Sequence, residues 1–200
     1  MELAKSLCIV LFSAILVDNF VLSKFMGICP FLGVSKNLSS AFGMSCAVTF
    51  VMIMATAVTH PVFTYLLAPN GLGYLDTIAF ILVIAAFVQL VEIVLKKYIP
   101  ALHRTLGVYL PLITTNCAIL GVTLLNIQDE LDYLHALVNA LGAGLGFMLA
   151  MVLFSGVRQR IAGNHIPKAF QGLPITLISA SVVALSFLGF GGVIDGIFGA

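Results

Sequence analysis

Long apolar runs separated by short polar breaks make up almost the whole chain. Runs cover about residues 3–34, 41–67, 77–95, 101–127, 134–157 and 173–194. Each approaches or exceeds the roughly 20 apolar residues that a membrane-spanning helix needs. The polar breaks fall at Ser35–Ser40, Pro69–Asp76, Lys96–Ile99, Gln128–Asp132 and Arg158–Lys168. Strands of a closed membrane barrel would be about ten residues long with alternating polarity, and these runs are longer and continuous. The pattern predicts an all-α integral membrane protein of six transmembrane helices in a single membrane domain, residues 1–200. Met1 to Lys5 lacks a basic leader and a small-residue cleavage site, so the first run reads as a retained helix.

Composition sharpens the class. Of 200 residues 61% are hydrophobic and 8% charged, and the mean hydropathy is +1.16. A soluble domain carries about 25% charged residues, so this chain lacks the means to cover itself with a polar surface. The net charge of +1 gives no electrostatic footing for a nucleic-acid partner. The connections are too short for a soluble domain, which leaves aqueous chemistry to other chains. Lys24, Lys36, Lys96, Lys97, Arg104, Arg158, Arg160 and Lys168 lie at or near the first, third and fifth connections, and Lys5 alone lies opposite. Basic connections stay cytoplasmic, so both termini are predicted to face outward. Glu2, Asp76, Asp129, Glu130, Asp132 and Asp195 fall on that outer side.

Two of the runs are interrupted, and each interruption holds a cysteine. The first, "KFMGICPFLGVSK" (24–36), carries Cys29; the second, "TTNCAILGV" (115–123), carries Cys117. At an offset of 88 residues "CPFLGV" faces "CAILGV", matching at four of six positions. Each cysteine sits in the first helix of a three-helix half, about 1–97 and 98–200. Three is odd, so the second half enters from the opposite face, which predicts inverted repeats. Asp18, Asn19, Ser23, Lys24, Gly27 and Pro30 interrupt the first run; Pro111, Thr114, Thr115 and Asn116 interrupt the fourth. Broken helices in corresponding places point to a central site, because irregular backbone at membrane depth must be covered by protein or line a cavity.

The thiols admit three readings from the residues alone. Free cysteine is commonly buried and inert, the reading that suits Cys8 and Cys46 in ordinary helical context. A disulfide requires an oxidising face. Metal ligation is the third: an iron–sulfur cluster of the common type takes four thiolates. The chain has no CxxC pair, so a cluster on Cys29 and Cys117 would need two more thiolates from a second subunit.

"NFVLSKFMGICPFLGVSK" (19–36) and "LPLITTNCAILGVTLLN" (110–126) closely resemble the A-subunit family of Rnf complexes. A more distant likeness is to the E subunit of the sodium-translocating NADH:quinone reductase. The resemblance covers essentially the whole chain, including "AFILVIA" (79–85) and "MVLFSGVRQR" (151–160). It implies a membrane subunit of an ion-translocating ferredoxin:NAD⁺ oxidoreductase in a bacterial inner membrane, working with the B, C, D, E and G subunits. It further implies a [2Fe–2S] cluster shared with the homologous E subunit, with Cys29 and Cys117 as this chain's ligands and Na⁺ or H⁺ as the coupled ion. Flavin, NAD and ferredoxin would bind elsewhere, since the chain has no GxGxxG and no P-loop, and it offers no catalytic residue in the usual sense. A secondary transporter and a structural protein with inert thiols are the competing classes; both would tolerate serine at Cys29 and Cys117.

Other polar positions carry weaker expectations. Glu92 reads first as a local ion pair with Lys96, four residues on, and second as part of an ion path, a reading that the resemblance to the quinone-reductase protein raises. Asp18 and Asn19 either attract a cation or satisfy backbone groups freed at the break. Lys24 is expected to snorkel toward the cytoplasmic headgroups. Gly27, Gly33 and Gly121 serve close backbone approach or plain packing, and Asn116 caps a helix or donates to the cluster. His60, His103, His135 and His165 lie near helix ends or in loops, unsuited to haem ligation. Gly142, Gly146 and Ala150 form a packing stripe on one helix face, a candidate contact with the partner protein.

Overall fold

The computed structural model describes residues 2–71, 73–98 and 110–192, and among these there is helix, turn and coil but no strand. Eight helices are described: α1 (Glu2–Phe12), α2 (Ile28–Val34), α3 (Leu38–Val62), α4 (Asp76–Tyr98), α5 (Leu110–Thr114), α6 (Cys117–Gln128), α7 (Tyr133–Ala162) and α8 (Leu173–Leu188). Wider π turns extend α1 through Ser13–Val17 and α3 through Phe63–Leu67. The second follows Pro61, whose ring removes a ladder donor; the Phe63 N–H turns back to the Thr59 and His60 carbonyls. Leu38–Leu67 and Tyr133–Ala162 are each long and apolar enough to cross a membrane, with mean hydropathy 2.0 and 2.1.

These two long helices form the centre and run antiparallel. Tyr133 Oη donates to the Ala57 carbonyl, while Gly144 faces Thr49 farther along. Met44, Val48, Met52 and Ala55 from α3 and Ala140, Ala143, Phe147, Ala150 and Met151 from α7 fill the space between, all fully buried. Small residues let the backbones approach closely, which matters where lipid removes the hydrophobic drive for helix association. The stripe at Gly142 and Gly146 is occupied within the chain. A methyl on Gly142 would lie 2.8 Å from Ala14 Cβ, and one on Gly146 3.0 Å from the Ala14 carbonyl. The stripe therefore seats the first apolar run and is not available to a partner protein.

Several boundaries differ from the sequence pattern. Arg158 and Arg160 lie on α7, which continues to Ala162, and Lys96 and Lys97 lie in the last turn of α4. Long basic side chains are good helix formers, so charge alone does not end a helix. The second interruption falls at Thr115–Asn116, between α5, which carries Pro111, and α6. His103, Arg104, Asp195 and residues 101–109 of the expected fourth span lie outside the described residues.

Candidate functional site

The first apolar run breaks over residues 18–27, and Asn19 fixes the shape of that break. Its side chain is fully buried: Oδ1 accepts from the Val21 and Leu22 N–H groups at 3.1 and 3.2 Å, while Nδ2 donates to the Gly146 carbonyl at 2.9 Å and the Ile15 carbonyl at 3.1 Å. One amide thus serves backbone groups left over at the end of a helix and ties the break to α7. Asn19 is committed to backbone. Phe25 and Gly27 take positive φ, +56° and +80°, and re-aim the chain before α2 begins.

Gly27 is the N-cap of α2, and Cys29 is the second residue of that helix. Asn116 is the N-cap of α6, and Cys117 is its first residue; Asn116 Oδ1 accepts from the Ala118 N–H at 3.1 Å. The starts of these two half-helices abut. The Gly27 N–H donates to Cys117 Sγ at 2.9 Å. A methyl on Gly27 would stand 3.0 Å from Phe147 Cε2 and 3.1 Å from both Ala118 Cβ and Asn116 Oδ1. Only glycine combines that space with that φ. Gly121 has a different task, leaving room on α6 for the Met26 side chain.

Cys29 and Cys117 are free thiols and both are exposed. Cys117 stands at the positive end of the α6 dipole, and an N–H donor points at its sulfur. Both suit a sulfur carrying negative charge, the form that binds metal. Asn116 Nδ2 is buried without a hydrogen-bond partner, an uncommon state for an amide and a donor available to an anionic group. Among the described residues no three His, Cys, Asp or Glu side chains gather as a metal site. The donor set is two thiols, one of them with an N–H donor at its sulfur, which suits half of a four-thiolate cluster and not a complete one.

Asp18 is placed in a separate cavity of about 230 Å³, also lined by Ser13, Lys24, Asp129 and Asn139. Ser13 Oγ donates to Asp18 Oδ2 at 2.8 Å, and Lys24 Nζ lies 3.9 Å from Asp18 Oδ1 and 5.0 Å over the Phe20 ring. Lys24 therefore faces the cavity shared with Asp129, beside a carboxylate and an aromatic face. Glu92 is half-buried on α4, and no ion pair joins it to Lys96 among the described residues. It lines neither the thiol locus nor this cavity. His60 Nε2 bonds the Leu131 carbonyl and His135 Nε2 bonds Ser6 Oγ, at 2.9 and 3.1 Å, both structural roles.

The pattern of the sequence did not show that Gly27 reaches Cys117, 90 residues away, nor that Arg158 bonds the Leu32 carbonyl and Ser35. The glycine beside the first cysteine was the only local sign.

By its fold and apolar spans the chain is a membrane protein with two neighbouring thiol motifs on interrupted helices. A family model described as "Rnf-Nqr subunit, membrane protein" matches residues 7–194, and the chain belongs to that family. It is 57% identical over 187 residues to the A subunit of the Na⁺-translocating ferredoxin:NAD⁺ oxidoreductase complex of Acetobacterium woodii, covering 94% of this chain and 97% of that protein. The A subunits of the ion-translocating oxidoreductase complexes of Syntrophotalea carbinolica and Shewanella oneidensis are 51% and 50% identical. Those matches cover 96% and 93% of this chain and 100% and 97% of theirs.

Proposed function

We propose that this chain is the A subunit of an Rnf-type ion-translocating ferredoxin:NAD⁺ oxidoreductase and that Cys29 and Cys117 supply half the ligands of a [2Fe–2S] cluster. The observation that carries this reading is the 2.9 Å contact between the Gly27 N–H and Cys117 Sγ, which joins the two cysteine motifs at the starts of two half-helices. The near-full-length similarity to the same component of such complexes supplies the redox setting.

The remaining two thiolates come from a homologous membrane protein, the E subunit of the same complex, seated over the exposed sulfurs. The other subunits bind flavin, NAD⁺ and ferredoxin. A bound cluster would supply one-electron storage within the membrane. This chain's part is to hold two sulfurs in a fixed frame and to set their electrostatics. The Gly27 N–H and the α6 terminus stabilise negative charge on sulfur, which raises a reduction potential, and the unpartnered amide of Asn116, next in the chain to Cys117, is a further donor.

The halves 1–97 and 98–200 form inverted repeats of three spans each, with the first and fourth helices broken. The antiparallel course of α3 and α7, the second helix of each half, supports this arrangement. Helix rise supports a position of the thiols within the membrane. Cys29 lies about 8 Å along α2 from Val34, and Cys117 about 17 Å along α6 from Gln128. Together these nearly span a hydrocarbon core of about 30 Å, so the sulfurs sit inside it, nearer the basic face. That face is cytoplasmic and both termini are outside, in a bacterial inner membrane. Asp18 and Glu92 belong to the ion path; Asn19 supports the fold beside it.

Iron analysis of the purified complex tests the reading. Cys29→Ser and Cys117→Ser should each lower the iron content by about two atoms per complex, the nuclearity of the cluster, with all subunits present. Unchanged iron in both variants would return the thiols to packing residues and favour a transporter or scaffold role.

A further inference from the structure

A cavity of about 510 Å³ opens at the basic end of the molecule, lined by Cys29, Lys36, Arg158, Gly172, Leu173 and Thr176 among others. It lies where three helices end or begin: past the end of α2, one turn before the end of α7, and at the N-cap of α8. The opposite end of α7, beside the Asp18 and Asp129 cavity, is about 38 Å away along the axis. Among the described residues, two cationic side chains and no carboxylate line the basic cavity. Arg158 is fixed at its wall, because Nη1 donates to the Leu32 carbonyl at 2.6 Å and Ser35 Oγ at 2.8 Å. Its Nη2 and Nε take no part in those two bonds. The start of α8 adds first-turn N–H groups and the positive end of a 16-residue helix. Beside it Leu173 and Leu177, one turn apart, are 65% and 49% exposed.

We infer that this cavity binds the phosphate of an anionic phospholipid, with the headgroup between Lys36 and Arg158 and an acyl chain along Leu173 and Leu177. A basic cavity calls for an anion, and the apolar flank calls for one with a hydrocarbon tail. Basic helix ends sit at the cytoplasmic headgroup level, where anionic lipids concentrate. Cys29 shares its wall, so the lipid takes the part of the cavity around Lys36, Arg158 and the start of α8 and leaves the Cys29 sulfur to the proposed cluster.

The test uses the whole complex in phosphatidylcholine nanodiscs containing a photoactivatable phosphatidylglycerol, with crosslinked peptides mapped by mass spectrometry. Label should appear at the start of α8, be displaced by unlabelled phosphatidylglycerol and not by phosphatidylcholine, and fall about fivefold in Lys36→Gln, the worth of one basic residue at a membrane surface. Arg158→Gln should lose more, but Arg158 also braces Leu32 and Ser35, so the exposed Lys36 is the decisive position. Equal labelling of Lys36→Gln and wild type, no label at α8, or displacement by inorganic phosphate alone would each overturn the lipid site.

Discussion

Gly27 meets two demands at once: a left-handed backbone angle and an approach to Cys117 and Phe147 too close for a side chain. Gly27→Ala should destabilise the protein by about 1–3 kcal/mol, since a non-glycine residue held at this φ is strained before any clash is counted. Thermal unfolding of the complex, or yield of this chain after extraction, measures it; a wild-type melting point would mean the break can relax. Asn116 separates two roles that share one side chain. Asn116→Ser keeps an oxygen to cap α6 but removes the buried amide donor. Stability should stay within about 1 kcal/mol, the usual size of a cap, while a redox titration should show a more negative cluster potential. An unmoved potential would reduce Asn116 to a cap.

Among the helices and their connections, the break over 18–27 holds its shape because Asn19 bonds four backbone groups in the interior. Asn19→Leu matches the volume and strands those groups at a cost of about 3 kcal/mol or more. The expected outcome is loss of the assembled protein from membranes; normal assembly would show that water replaces the amide. The interruptions were legible in the sequence as polar residues and glycine inside apolar runs, and so was the pairing of α-helical spans with short connections. The partners of those residues were not. A local pattern shows where a helix loses its ladder, but Gly27 finds Cys117 and Asn19 finds Gly146 only through the packing of α6 and α7 against the first run. For the same reason Lys24 read as a headgroup anchor while its charge lies by Asp18, and the glycine stripe read as a partner surface while α1 and its π turn fill it.

Across the whole molecule, the proposed electron site between two half-helices is set apart from the proposed ion path. Glu92, half-buried and without an ion pair to Lys96, is the residue on which that separation is most easily tested. In proteoliposomes Glu92→Gln should strongly reduce ion uptake while leaving the cluster intact, because it removes an intramembrane charge from the proposed path. Uptake at the native rate would take Glu92 out of the path. Whether this chain holds half of a shared cluster is read out by electron paramagnetic resonance of the dithionite-reduced complex, native and with Cys29→Ser or Cys117→Ser. The native complex should show a two-iron signal that either substitution abolishes or strongly alters while the subunits remain together. An identical signal in all three would mean that the cluster, if present, is held by other thiols.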